Sequence, residues 1–192
     1  GKIATGERDS RWISNSDSRV IVHELRGRMD TILVGIGTVM ADDPLLTARP
    51  PGPRTALRVV LDNMAQLPLT SQLVHTAREV PVLLCVSASA PADRVTAIEA
   101  AGVEILIVRQ QEKAEAIHRN RLALSEVLTE LGRRKLTHVL IEGGSAILGS
   151  AFDEQLVDEV HVFVAPIVIG GVAAVSPVAA MGAQLHSGGT RL

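Results

Sequence analysis

The sequence predicts an α/β protein: one three-layer domain with a mostly parallel central sheet flanked by helices. Short apolar runs alternate along the chain with segments of helical periodicity, which is the pattern of successive β-α-β units. Apolar residues make up 46% of the chain and are almost all aliphatic, with no tyrosine, one tryptophan and two phenylalanines. Aliphatic runs of this kind are typical of strands that helices cover on both faces.

The first half of the chain supplies two helices and four strands of this prediction. A helix within residues 10–29, capped by Ser14 or Ser16, places Ile21, Leu25 and Met29 on one face. Apolar strands are predicted over residues 31–34, 57–62, 80–86 and 103–108. Between the last two, a helix that begins near residue 91 ends at Gly102, because glycine is favoured just after a helix.

The second half predicts a helix over 122–131, and then a strand, a glycine pair and a helix within 138–152. A final apolar strand is predicted over 160–168, and the polar segment 110–121 is expected to be an exposed connection. We expect a single domain over residues 1–192. The chain begins without methionine and ends without a closing strand, so one or both ends are expected to be trimmed.

Charge and composition argue against several classes of partner. The net charge is −2, the pI is about 6.3 and aromatic residues are scarce, which disfavours nucleic-acid binding. No signal peptide and no 18-residue apolar run is present, so a cytoplasmic protein without a membrane partner is expected. The single cysteine, Cys85, lies in a predicted strand and is expected to be a buried core residue.

Residues 30–49 form the first candidate ligand site, because a strand ends there in Gly35, Gly37 and Thr38. A Rossmann dinucleotide site is rejected: its third glycine is missing, and the proline-rich stretch 44–53 cannot form the crossover helix. The pair Asp42 and Asp43 suits either acid–base chemistry or a turn. No metal is expected, since no histidine or further acid lies close in sequence. We expect one of the two carboxylates to be structural and the other to face a pocket.

The second candidate site is the segment from Ile141 to Gly149, in which a strand runs through Gly143 and Gly144 into a helix. Exposed N–H groups at such a helix start suit a pyrophosphate, although a plain strand-to-helix turn stays possible. Glu142 is expected to face a donor-rich heterocycle instead. The two glycine turns should lie side by side at one edge of the sheet. Arg26 is better placed than Arg19 or His23 to meet a ligand.

Several segments, in this order, resemble the reductase domain of riboflavin biosynthesis, whose fold is similar to that of dihydrofolate reductase: GKIA, SRWIS, VHELR, DTILVGIGTVMADDPLLTAR, RVVLD, IEGGSAILGSAF and DEVHVFVAPIVIGG. The resemblance covers most of residues 1–172. The zinc-binding HxE and PCxxC motifs of the family's deaminase half are absent, so the resemblance implies neither zinc nor deamination.

The resemblance implies an NADPH-dependent reduction of 5-amino-6-(5-phosphoribosylamino)uracil, in which the ribose opens to an imine that a hydride then reduces. Asp42 and Glu142 are the implied catalytic residues. The substrate contacts would be Ser10, Arg26, Leu46, Arg49 and Glu142. The cofactor contacts would include the glycines of both turns, and the full set would be Trp12, Gly35, Gly37, Thr38, Asp42, Asn63, Gly143, Gly144, Ser145, Ala146, Ile147, Leu148, Gly149 and Ser150.

Two alternatives stay open within this resemblance. One is a related reductase that acts on a 2,5-diamino-6-ribosylamino-pyrimidinone phosphate. The other is a dihydrofolate reductase-like domain that binds a nucleotide or phosphosugar without turnover. The apolar segment 158–182 and the resemblance both predict a homodimer.

Overall fold

The computed structural model describes residues 2–6, 13–111 and 121–179, and it contains one parallel five-stranded sheet. The helices and strands alternate along the chain in this order: α1 (Ser16–Arg26), β1 (Thr31–Gly35), α2 (Ile36–Asp42), β2 (Leu57–Leu61), α3 (Gln72–His75), β3 (Val82–Val86), α4 (Ala92–Ala100), β4 (Glu104–Ile107), α5 (Leu124–Arg133), β5 (Val139–Ile141) and α6 (Ser145–Asp153).

The sheet order is β4-β3-β2-β1-β5, and every neighbouring pair of strands is parallel. Leu33 of β1 lies opposite Val59 of β2 and Ile141 of β5. Because the strands are parallel, the carboxyl ends of β1, β2 and β5 meet at the same edge of the sheet. That edge is where α/β proteins bind ligands.

Each face of the sheet has its own hydrophobic core, as alternating strand residues require. On one face, Ile32 and Val34 pack with Val39 of α2 and Ile98 of α4. On the other, Leu33 and its neighbours pack with α5 and α6. Cys85 belongs to this second core and is buried, as predicted, and burial raises the pKa of its thiol to about 12. The predicted three-layer α/β arrangement is therefore confirmed.

The first half of the chain differs from the predicted secondary structure at three places. Asn15, rather than Ser14 or Ser16, caps α1, because its extended backbone lets its side chain accept a hydrogen bond from Ser18 N at 2.9 Å. Helix α2 begins directly after β1, where only a glycine turn was predicted, and it ends before Pro44. The short helix α3 was not predicted either.

The predicted strand over 160–168 is also wrong, since this range contains no helix or strand. Its backbone pairs with no strand of the described sheet, and apolar composition without a neighbouring strand does not make a ladder. The segment instead leaves large apolar side chains exposed, with Val164 at 87% and Val168 at 96%. Among the described residues no helix is long and apolar enough to cross a bilayer.

A buried arginine fixes the loop that follows α2. Arg58 of β2 is wholly buried, and burial lowers its pKa to about 10. Its guanidinium donates to the carbonyl of Leu45 at 3.2 Å and to both oxygens of Thr76. The loop is thereby tied to the sheet beneath it, which limits where the residues after Pro44 can stand.

Candidate active site

A cleft of about 640 Å³ opens at the carboxyl ends of β1, β2 and β5. The ends of three parallel strands and the starts of α2 and α6 supply most of its wall. Its lining comprises Ile3, Ala4, Gly35, Ile36, Gly37, Thr38, Ala41, Asp42, Leu61, Asn63, Arg121, Leu122, Leu124, Glu142, Gly143, Gly144, Ser145, Ala146, Ile147, Ser150 and Val175. Most of the residues predicted for cofactor binding are therefore gathered in one place.

The two glycine turns lie side by side, as predicted. A Cβ on Gly143 would come within 3.1 Å of Thr38 Oγ1, and a Cβ on Gly144 within 3.7 Å of Gly35 N. Gly144 also has a φ of +87°, a backbone conformation that side chains with a Cβ rarely adopt. The backbone conformation thus favours glycine at Gly144, and the closeness of Thr38 favours it at Gly143.

Helix α6 points its amino end into this cleft. No side chain caps it, and the first hydrogen bonds to Gly144 O come from Ile147 N and Leu148 N. The N–H groups of its first two residues precede those bonds and are available to an anion. Ala146, Ile147 and Ser150 line the cleft on one helix face, whereas Leu148 and Gly149, also predicted as cofactor contacts, do not line it.

The structure separates the roles of the two adjacent aspartates. Asp43 ends α2 in the left-handed conformation, and its Oδ1 accepts a hydrogen bond from Gln72 N at 2.9 Å, which fixes the start of α3. Asp42 is exposed and lines the cleft. One carboxylate is therefore structural and the other faces the pocket, as the sequence predicted. No cluster of metal-ligand side chains occurs among the described residues.

Arg26 and Glu142 form a bidentate ion pair where α1 meets the end of β5. Arg26 Nε lies 2.6 Å from Glu142 Oε1, and Nη2 lies 2.5 Å from Oε2. Both side chains are largely buried, at 14% and 13% exposed. The sequence suggested a separate role for each residue, but the structure brings them together. The pair fixes the direction of the Glu142 carboxylate, while the remaining lone pairs of its oxygens can still accept hydrogen bonds.

Arg49 and His23 stand beside this ion pair. Arg49 N donates to His23 Nδ1 at 3.2 Å, and the Arg49 side chain is exposed, with no hydrogen bond or ion pair to any residue that the structure describes. Burial and the charges of Arg26 and Arg49 lower the pKa of His23. His23 was expected to be a solvated surface residue, so the structure corrects that expectation: the ring supports the loop that carries Arg49.

Three other predicted contacts have different outcomes. Leu46 is 2% exposed and packs in the core, so it offers a ligand almost no surface. Asn63 lines the cleft and its Oδ1 accepts from Gln110 Nε2 at 2.9 Å. Ser10 and Trp12 lie outside the described residues.

Arg121 was not predicted as a site residue, because it lies at the edge of a segment expected to be an exposed connection. In the structure it lines the cleft, and its Nη1 donates to Ala146 O at 3.1 Å and Ser150 Oγ at 3.2 Å. Its charge within a polar stretch carried no signal that distinguished it from solvated neighbours. Arg121 lies in the cleft because it contacts α6, a helix that comes much later in the chain.

These features suit a dinucleotide. The glycine turns leave room for a pyrophosphate, the α6 amino end offers N–H donors to it, and apolar residues from β2, α2 and α5 form a wall for flat rings. Arg26, Glu142 and Arg49 form a charged cluster beyond the end of β5, where a second, anionic ligand could bind beside the first.

Comparisons with known proteins identify the family of this chain. Residues 1–188 match the family model of the RibD C-terminal domain. The chain is 34% identical over 184 residues to the riboflavin biosynthesis protein RibD of Actinobacillus pleuropneumoniae, covering 96% of this chain and 47% of that protein. It is 33% identical over 181 residues to the 2,5-diamino-6-ribosylamino-4(3H)-pyrimidinone 5′-phosphate reductase of Archaeoglobus fulgidus, covering 89% of this chain and 77% of that protein.

Solved structures give the same result. The structure of Acinetobacter baumannii RibD, form 2, matches all of this chain with a TM-score of 0.79 and 25% identity, and the match spans 49% of that chain. The chain thus spans about half the length of the RibD proteins it matches. The dihydrofolate reductase-like fold expected from the sequence is confirmed. Because the family model covers nearly every residue, the chain belongs to the RibD C-terminal domain family.

Proposed function

We propose that residues 1–192 form an NADPH-dependent reductase domain of riboflavin biosynthesis, which reduces the ribose of 5-amino-6-(5-phosphoribosylamino)uracil to ribityl. The observation that carries this proposal is the cleft itself, in which a glycine-walled helix start adjoins the Arg26–Glu142 ion pair. The first feature suits a dinucleotide and the second suits a phosphorylated heterocycle. We expect the reaction to take place in the cytoplasm.

The two carboxylates that line the cleft have separate proposed roles. Glu142, held by Arg26, accepts hydrogen bonds from the amino and ring N–H groups of the pyrimidine. Asp42 accepts hydrogen bonds from the cofactor, which would supply the hydride. The chain's own contribution is then to hold the donor and the C1′ carbon of the substrate in register.

A steady-state assay with two substrates tests the proposal against both alternatives. The purified chain is mixed with NADPH and either the aminouracil phosphate or its 2,5-diamino-pyrimidinone counterpart, and loss of reduced nicotinamide absorbance is followed. We expect turnover with the uracil compound to be the faster. Turnover mainly with the diamino compound would make the chain a pyrimidinone reductase. Tight binding of NADPH and substrate without turnover would make it a binding domain.

We propose further that Arg49 binds the substrate phosphate. Its side chain is exposed beside Arg26 and engages no described acidic group. Arg49→Ala should raise the substrate KM by about ten- to a hundredfold, because a charged hydrogen bond contributes roughly 1.5–3 kcal/mol. Arg49→Lys should recover part of this loss, since lysine lacks the bidentate fork.

The cofactor provides the control for the Arg49 experiment. The affinity for NADPH, measured by fluorescence titration, should hardly change in either variant. If Arg49→Ala weakens NADPH and leaves the substrate KM intact, Arg49 serves the cofactor phosphates and the assignment is wrong.

We also propose that the domain forms a homodimer through residues 160–172. Val162, Val164, Val168 and Val172 are 73%, 87%, 96% and 105% exposed, and contiguous apolar surface of this kind marks interfaces. Sedimentation should show a species of about twice the 20.3 kDa chain mass. Val164→Glu should shift it toward monomer without weakening NADPH. A 20.3 kDa species alone at micromolar concentration would contradict the proposal.

A further inference from the structure

Arg121 is the one lysine or arginine that lines the cleft within the described part of the chain. The other charged residues of the lining, Asp42 and Glu142, are acidic. A dinucleotide brings several phosphate charges into this space. Without Arg121, only backbone N–H groups among the described lining residues could balance them. Among the described residues, Arg121 is therefore the side chain best suited to meet one of these phosphates directly.

Contacts on both sides of Arg121 fix its place in the cleft. Arg121 O accepts from Gln111 N at 2.8 Å, and Gln110 donates to Asn63, the residue that follows Asp62 after β2. The segment is thus held on the β2 side of the cleft. The Arg26–Glu142 pair lies at the end of β5, and β1 separates β2 from β5 in the sheet. The backbone at Arg121 is therefore held on the other side of β1 from that ion pair, and its side chain reaches from there to α6.

Only one of the three guanidinium nitrogens of Arg121 donates hydrogen bonds to described residues. Both of its hydrogen bonds, to Ala146 O and Ser150 Oγ, leave from Nη1. Its Nε and Nη2 groups make no hydrogen bond to the residues that the structure describes. Burial lowers the pKa of Arg121 and the charge of Asp153 raises it, and an arginine stays protonated at neutral pH. Two spare donors on a charged, planar group match a phosphate.

The position of Arg121 distinguishes among the phosphates of the cofactor. In the proposed complex, Gly143, Gly144 and the N–H groups at the start of α6 would hold the pyrophosphate. The Arg121 guanidinium instead bonds the carbonyl oxygen of Ala146 and Ser150 Oγ, which lie beyond the free N–H groups at the start of α6. We propose that Arg121 binds the 2′-phosphate on the adenosine ribose and so selects NADPH over NADH. This inference rests on the proposed reductase function, because it needs the dinucleotide to occupy the cleft.

Equilibrium binding tests the inference without turnover. The wild-type chain and Arg121→Gln are titrated with NADPH and with NADH, and nicotinamide fluorescence is followed. In the variant the Kd for NADPH should rise roughly ten- to a hundredfold, the usual effect of losing a charged hydrogen bond. The Kd for NADH should change by less than about twofold. Displacement of NADPH by 2′,5′-ADP should weaken in the same proportion, whereas displacement by 5′-AMP should not.

Arg109→Gln is the matched control, because Arg109 lies near the same connection but is 83% exposed and pairs with Glu126. Neither Kd should change in it. If Arg121→Gln weakens the binding of NADPH and of NADH equally, the inference is overturned, and the role of Arg121 is to hold α6 in place. Unchanged NADPH binding would also overturn it. If the wild-type chain binds neither dinucleotide, the proposed function fails and this assignment fails with it.

Discussion

Replacing Gly144 by valine should raise the Kd for NADPH about a hundredfold or more. Gly144 has a φ of +87°, which costs a branched residue on the order of 1–3 kcal/mol. Its Cβ would also stand between the turn after β1 and the amino end of α6, where an anion would approach the N–H groups. Strain and lost hydrogen bonds act on the same site, so a large effect is expected.

Gly132→Ala is the control for this experiment, since Gly132 lies in α5 and a Cβ there meets nothing within 4 Å. It should leave the NADPH affinity unchanged. Thermal unfolding of both variants separates a folding defect from a binding defect. If folded Gly144→Val chain binds NADPH as tightly as wild type does, the cofactor does not use this turn.

The second large effect is expected at Glu142. Glu142→Gln keeps the size of the side chain but removes the charge that pairs with Arg26 and that we propose to accept hydrogen bonds from the pyrimidine. Two charged hydrogen bonds contribute roughly 1.5–3 kcal/mol each, so kcat/KM should fall by about two to four orders of magnitude. The Kd for NADPH should stay within about threefold of wild type. A kcat/KM within tenfold of wild type would rule out this role for Glu142.

A double-mutant cycle shows whether Glu142 acts together with Arg26. Arg26→Leu and Glu142→Leu should each lower the free energy of unfolding by about 2 kcal/mol or more, because each leaves a largely buried charge unpaired. The double variant should cost no more than either single variant. Additive losses would mean that the two groups do not depend on each other.

Much of the fold could be predicted because its strands are apolar runs between polar breaks. The runs at 31–34 and 82–86 bury nearly every side chain, so composition alone marks them. Helix α2 was missed because glycines at its start and the aspartates before Pro44 read as a turn. The strand over 160–168 was predicted from apolar content, which cannot show whether a neighbouring strand is available to pair.

The candidate site was predictable where its signal is local. The glycines before α6 and Glu142 beside them are adjacent in sequence, and parallel strands bring them to the end of β1. The Arg26–Glu142 pair joins residues 116 positions apart, and no local sequence pattern predicts that they meet. The positions of His23 and Arg121 likewise depend on contacts with distant elements.

Transfer of a deuterium label tests the central claim most directly. The chain is given the aminouracil phosphate and NADPH that carries deuterium at nicotinamide C4, with each of the two faces labelled in turn. If the cleft holds the nicotinamide against the opened ribose, one of the two labelled forms should place a single deuterium at C1′ of the ribityl product. Oxidation of NADPH with no deuterium in the product from either form, or no ribityl product at all, would contradict the account.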